Sequence, residues 1–416
     1  FAHATRTYYT ACLFNFLVRD SIMSQSATIV SDNCTVLWGL KSADRIQKQL
    51  TSINIPLSSE CSPEENPEGS VLLIDSNFMF DTHTIKNFVE SSSELLICTD
   101  THIIAALKCD IGKIEQNKQT IGSTASPQII GNRAVELQQY NDKLRRSKPP
   151  LLKHIPSFSV KDLESLLYGN SYKGITDFVT KWWWPRPAKK IVRLCVKYSI
   201  TPNMVTIVGA LLMLFALVCF AEGLFVFGLI SGWIMTLLDT VDGKLARVTE
   251  RTSKTGHVLD HGMDIIHPPI WYFYWGVGLS GATSFFGYSL FDLSLIMVCA
   301  YIGGRLAEGL FEGLGNCSLF AWRPADAYFR LFVARRNPCL VILTVATILG
   351  QPPLGFLGVV VWTLICTVLL FFRLAYAVFV RLSEGQLKSW LQDPLAAELS
   401  PVAFKTFSET KQAYDS

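Results

Sequence analysis

The sequence predicts an α-helical membrane bundle of about six transmembrane helices with an interfacial helix, preceded by a soluble α/β domain. Three observations carry that prediction. Half of the 416 residues are hydrophobic, and the apolar residues concentrate after Pro202. Before that point, short apolar runs alternate with polar, helix-like stretches. Between the two halves, three consecutive tryptophans stand beside a row of lysines and arginines.

The expected division is a soluble α/β part at 23–150, a linker and amphipathic helix at 151–200, the membrane part at 201–385 and a cytoplasmic tail at 386–416. The chain opens on Phe1, and Met23 precedes a polar run and a strand-like segment, so Met23 is the expected natural start and residues 1–22 additional sequence. Arg6 and Arg19 flank an interrupted apolar stretch without the layout of a signal peptide. A net charge of +3 is too small to suggest a nucleic-acid partner. The 11 cysteines show neither C-x-x-C nor Cys/His ligand spacing, which argues against a disulfide framework and for a reducing compartment.

In the front part, apolar runs at 35–37, 71–74 and 95–98 read as strands, and the polar segments at 42–50, 83–90 and 102–108 read as helices. That alternation predicts a parallel sheet. The Ser/Pro/Glu-rich stretch at 58–70 is an exposed connection. Asp75 ends the second strand, where it is either a metal ligand or a polar residue at a strand terminus, and we favour the second. From Gln138 to Lys153 the chain is polar and basic and reads as a linker.

The segment at 180–199 reads T-K-W-W-W-P-R-P-A-K-K-I-V-R-L-C-V-K-Y-S. Tryptophan prefers the headgroup layer and cationic side chains favour anionic lipid, so this is an expected interfacial helix on the cytoplasmic leaflet. Six apolar stretches follow as candidate spans: 203–221, 223–242, 260–279, 285–304, 338–351 and 354–378. Lys244, Arg247, Arg251 and Lys254 sit in one connection, and Arg305, Arg323, Arg330, Arg335 and Arg336 in the next but one. The intervening turns carry no Lys or Arg, so the positive-inside rule puts both termini on the cytoplasmic side.

The residues at 239–264 read D-T-V-D-G-K-L-A-R-V-T-E-R-T-S-K-T-G-H-V-L-D-H-G-M-D, the end of one helix, a polar turn and the start of another. At about 100° per residue, Asp239, Asp242, Gly243 and Ala246 share a face of the first helix. Gly256, Asp260 and Asp264 share a face of the second. Four carboxylates thus line two facing surfaces, interleaved with small residues. A central aspartate in a span costs roughly 2.5–3.5 kcal/mol, less near the helix ends, so four together need an offset. A divalent cation with hard oxygen ligands supplies it.

The pattern D-x-x-D-G-x-x-A-R, eight residues, then G-x-x-x-D-x-x-x-D is filled without a departure. It resembles the signature of the CDP-alcohol phosphotransferases, integral membrane enzymes of phospholipid and polyol-phosphate synthesis. The resemblance implies transfer of a substituted phosphate group from a CDP-alcohol to an acceptor hydroxyl, with release of CMP. It implies one or two Mg2+ or Mn2+ ions held by Asp239, Asp242, Asp260 and Asp264, with Asp264 also taking the acceptor proton. It places Asp239, Gly243, Ala246, Arg247 and Gly256 against the CDP moiety. It implies a homodimer in a bacterial inner membrane, with the site facing the cytoplasm. Arg330, Arg335 and Arg336 are candidates to hold an acceptor phosphate, arginine's fork suiting that group. The order of the front part resembles a small nucleotidyltransferase domain. However, W-G-L-K-S-A-D-R has a single Gly39 where an active enzyme has a glycine-rich turn, so a degenerate domain is expected. Two other readings are an aspartate-rich membrane prenyltransferase, and a metal-binding transporter or scaffold without chemistry.

Overall fold

A computed structural model describes residues 26–58, 70–125, 140–252, 254–279, 281, 284–315 and 317–408, the side chains at 254, 255 and 257–261 excepted. The expectation about residues 1–22 lies outside the described residues. The chain forms two compact units, one of residues 1–139 with 148–170, the other of 140–147 with 171–416.

The first unit is built on a four-stranded sheet. Its strands are β1 (Ser26–Val30), β2 (Ser70–Asp75), β4 (Leu95–Ile97) and β5 (Ile104–Asp110), in the spatial order β1-β2-β5-β4. Helix α1 (Ser42–Ser52) crosses from β1 to β2, which pair parallel. Between β2 and β4 come β3 (Phe78–Phe80) and α2 (Thr82–Glu90), the latter capped by Asp81, which accepts from Thr84 N at 2.8 Å. The sheet is mixed, not parallel throughout. β5, expected as a helix at 102–108, pairs antiparallel with both β2 and β4. The link at 98–103 is too short for the crossover that a parallel strand needs, so the chain turns back as a hairpin. The run at 35–37, expected as the first strand, makes only the small ribbon of Val36–Leu37 with Leu40–Lys41. Ile46, Leu50, Leu72, Ile74, Phe78, Phe80, Ile85 and Phe88 form the core against one face.

The stretch expected as a linker is divided between the units. Strand β6 (Leu152–His154) pairs antiparallel with β3. In α3 (Val160–Asn170), Glu164 Oε1 accepts from Trp38 N and Glu164 O from Trp38 Nε1, both at 2.9 Å. Hence 148–170 belongs to the first unit. Residues 140–147 belong to the second, where the buried Arg146 donates from Nη1 to Tyr172 O at 3.1 Å.

The second unit is helical. A π-helical turn (Val179–Trp183) leads into α4 (Pro185–Lys197), shorter than the expected 180–199 because Pro185 starts it. Its buried face is Pro185, Ala188, Lys189, Val192 and Cys195, while Arg186, Lys190 and Lys197 are exposed. Then follow α5 (Pro202–Ala221), α6 (Phe225–Val248), α7 (Lys254–Val277), α8 (Leu290–Leu314), α9 (Pro324–Phe332), α10 (Arg336–Ile348) and α11 (Pro352–Glu384). Among the described residues, α5, α6, α8 and α11 are long and apolar enough to cross a membrane, and a fifth span results if α9 and α10, bent by 43°, count as one. Six were expected. The stretch at 260–279 is not among them, because Asp264, His267, Pro268 and Pro269 interrupt its apolar character.

Helix α6 packs against α5, α4 and α10, and α7 against α5 and α8. Phe220, Trp271, Tyr272, Trp275 and Phe311 fill the bundle. At the α5–α6 turn the backbones touch: a Cβ on Gly278 would lie 1.8 Å from Phe220 O, so that closure requires glycine. Outward residues such as Leu211 (62% exposed) and Phe215 (54%) form an apolar exterior suited to lipid.

Candidate active site

Four helices contribute to one cleft of about 290 Å³. Helix α5 brings Thr206 and Gly209, α6 brings Asp239 and Asp242, α7 brings Asp264 and His267, and α10 brings Arg336. Asp239 and Asp242 share a face because a separation of three residues is nearly one helical turn. Asp264 reaches the same space from α7. The position of Asp260, one turn earlier on α7, is helical, but its side chain lies outside the described residues.

Each carboxylate has a defined partner. Arg336 Nη2 donates to Asp239 Oδ2 at 2.5 Å, and its Nη1 to Asp264 Oδ1 at 3.1 Å. One guanidinium therefore bridges the two helices that carry the motif. The Thr206 hydroxyl donates to Asp242 Oδ2 at 2.7 Å, and Asp242 is buried. Asp264 is the most open of the bridged groups, with its side chain 49% exposed against 24% for Asp239. Asp264 thus faces solvent and Asp239 the protein.

His267 also lines the cleft. Its Nδ1 lies 2.5 Å from Met263 O, so Nδ1 carries the proton, and Nε2 is buried without a hydrogen-bond partner. The imidazole presents an acceptor to the cleft wall.

The remaining motif residues extend from this point. Gly243 leaves room for a guanidinium: a Cβ there would lie 3.1 Å from Arg247 Nη2. Ala246 is half-buried on α6, and Gly256 lies in the first turn of α7. Lys244, within the motif, does structural work, donating to Ser171 O at 3.0 Å and lying 3.1 Å from the Tyr172 ring centroid.

The three arginines that are candidates to hold an acceptor phosphate lie in different surroundings. Arg336 enters the aspartate cleft. Arg330 and Arg335 point elsewhere and stack on Phe320, at 5.6 and 5.5 Å from its centroid. Arg335 is the extended residue before α10 (φ −124°, ψ 175°) and Arg336 its first helical residue. Thr206 and His267 had no place among the expected site residues. A hydroxyl in the second turn of an otherwise apolar helix was the available signal for Thr206.

Three carboxylates on one cleft provide hard oxygen donors and fit a divalent ion in chemistry. Among the described residues, no three His, Cys, Asp or Glu side chains stand together closely enough to hold one. Asp242 is turned to Thr206, and Asp239 and Asp264 are shared with Arg336.

The fold and cleft define a membrane-type helical bundle with a carboxylate site on two adjoining helices. Residues 199–306 match the family model described as CDP-alcohol phosphatidyltransferase. Over those residues the chain is similar to a family of membrane transferases of phospholipid-related biosynthesis that generally depend on divalent cations. No curated protein matches the chain. The matched region contains Asp239, Asp242, Asp260 and Asp264 and ends before Arg330, Arg335 and Arg336.

Proposed function

We propose that the chain is an integral membrane CDP-alcohol phosphotransferase that moves a substituted phosphate group from a CDP-alcohol to an acceptor hydroxyl and releases CMP. The observation that carries this reading is the convergence of Asp239, Asp242 and Asp264 on one cleft inside the matched domain. A bound magnesium or manganese ion would supply charge neutralisation at the pyrophosphate oxygens. Asp239, Asp242, Asp260 and Asp264 are the residues to hold it. Gly243, Ala246 and Gly256 keep the helix surfaces low where the nucleotide lies, and Arg247 offers its guanidinium to the diphosphate. Asp264, the most solvent-open carboxylate, takes the proton of the acceptor hydroxyl. The arginine-bearing connections support a cleft on the cytoplasmic side of a membrane, and pairing into a homodimer belongs to the same reading.

The deciding experiment incubates the full chain in nanodiscs with magnesium, labelled CDP-diacylglycerol or a CDP-polyol, and a panel of hydroxyl acceptors. CMP should appear with one acceptor, and Asp264→Asn should slow it by about 100-fold or more. Release of inorganic pyrophosphate from a prenyl diphosphate would instead identify a prenyltransferase. Metal binding without turnover of any donor would leave a transporter or scaffold.

A further inference from the structure

Near the end of its apolar run, α11 meets a group of rings and guanidiniums that takes no part in the aspartate cleft. From Pro352 to Phe372 the helix carries 21 residues without a charged side chain. At 1.5 Å per residue they span roughly 31 Å, close to the ~30 Å hydrocarbon thickness of a bilayer. With the uncharged turn at 350–351 on one face of the membrane, Arg373, the first charge on α11, stands at headgroup depth on the other. That other face is the one with the arginine-bearing connections.

Arg373 shares its surroundings with Arg323, the residue before α9. The rings of Trp322 and Tyr376 lie with centroids 5.6 Å apart. The guanidinium carbon of Arg323 is 4.9 Å from the Trp322 centroid and 5.4 Å from that of Tyr376. That of Arg373 lies 4.7 and 5.5 Å from the same two. Ring faces attract a cation but do not neutralise two that share them. Asp326 is the one carboxylate, among the described residues, bonded to either arginine, and it is taken by Arg373. Its buried Oδ2 accepts from Arg373 Nη2 at 2.7 Å. Arg323 is half-buried, and among the described residues its guanidinium has no hydrogen bond or ion pair. Arg373 Nε is buried without a hydrogen-bond partner. Two guanidiniums against one carboxylate leave a surplus of one positive charge. Beside them Phe372, Tyr376, Phe379 and Leu382 are exposed, all within about 120° around α11. The apolar face of the span thus continues past Arg373 into the headgroup layer.

We infer that Trp322, Arg323, Arg373 and Tyr376 form a site for the phosphate of an anionic phospholipid, whose acyl chains lie along Phe372 and the apolar exterior of α11. A phosphodiester carries one negative charge, equal to the surplus, and its two free oxygens accept from guanidinium forks in pairs. The lipid is anionic rather than zwitterionic because both rings already hold guanidiniums. The ammonium of a choline headgroup would meet two like charges and no ring face of its own. A soluble phosphate fits the charge but leaves Phe372 and Phe379 uncovered. All four residues lie outside the matched region at 199–306. The inference goes beyond the phosphotransferase reading and does not rest on it, because this lipid is bound and not consumed.

The test is native mass spectrometry of the full chain released from a neutral maltoside detergent, titrated separately with dioleoyl phosphatidylglycerol and dioleoyl phosphatidylcholine. Wild type should bind one phosphatidylglycerol at least about tenfold more tightly than phosphatidylcholine, a difference of about 1.4 kcal/mol. Arg323→Met should abolish that preference. Arg323→Lys should keep only part of it, since an ammonium neither stacks flat nor donates as a fork. Lys388 is exposed, and Lys388→Met removes the same charge from outside the ring pair, so it should leave the preference intact. Glycerol 3-phosphate at the lipid's concentration should not displace the bound lipid. The inference fails if wild type binds the two lipids alike or if Arg323→Met keeps the preference. It fails equally if Lys388→Met lowers the preference as far as Arg323→Met does, which is the mark of diffuse attraction to a basic surface. Displacement by glycerol 3-phosphate would make the ligand a soluble phosphate and overturn the lipid assignment. Should Arg323→Met not fold, Tyr376→Ala, which removes an exposed ring, decides by the same ratio: a lowered preference supports the site and an unchanged one refutes it.

Discussion

Arg336 shows how one side chain can stand where a second charge is wanted. Its guanidinium sits between Asp239 and Asp264, bonded to both. Two carboxylates from neighbouring helices repel one another in a poorly solvated cleft, and a shared cation removes that repulsion. The same oxygens are those that a divalent ion needs, so guanidinium and ion compete for them. Arg336→Met is therefore expected to tighten Mn2+ binding severalfold, read by electron paramagnetic resonance titration without nucleotide. Unchanged or weaker binding would show that Arg336 does not compete. The carboxylates were legible in the sequence because their spacing fixes a helix face. The role of Arg336 was not, since a basic residue at the start of a helix looks alike whether it meets phosphate, water or an aspartate from two other helices.

Elements were legible where local pattern and tertiary demand agree. The long apolar helices α5, α6, α8 and α11 announce themselves by length. The strand β5 does not: I-A-A-L-K-C-D has the residues of a helix, and it is a strand because it fills the space between β2 and β4. The π-helical turn before α4 is another such case, and Lys181 within it carries a testable consequence. Lys181 Nζ donates to Gly174 O at 2.9 Å and lies 5.2 Å from the Phe407 ring centroid. Burial lowers its pKa to about 8. The folded form thus resists protonation more than the unfolded one, whose lysine keeps its ordinary, higher pKa. Between those two values the unfolded chain binds more protons, so stability rises with pH; below about 8 the full penalty is present. Relative to Lys181→Met, the wild type should gain thermal stability as pH is raised from 8 towards 10. Parallel melting curves across that range would refute a buried titrating lysine.

At the scale of the whole molecule, two units share one chain, and the front unit carries polar residues at the ends of its parallel strands. Their use is visible in the hydrogen bonds. Asp75 Oδ1 accepts from the Ser31 hydroxyl and from Asn77 N at 2.9 Å. Ser76 Oγ accepts from Asn33 N at 3.1 Å, and Asn33 Nδ2 donates to Asn77 Oδ1 at 3.0 Å. The network closes the turns after β1 and β2 on one another. That is the work of a polar residue at a strand terminus, and the segment after β1 holds no glycine-rich turn to wrap a triphosphate. The full chain, given CTP, magnesium and a polyol phosphate, should release no pyrophosphate, followed by phosphorus NMR. Asp75→Ala should lower the melting temperature of the front unit, at a cost of about 1–3 kcal/mol for the stranded donors, and leave CMP release unchanged. Pyrophosphate release that Asp75→Ala abolishes would instead make the front unit an enzyme that supplies the membrane unit with its own CDP-activated donor.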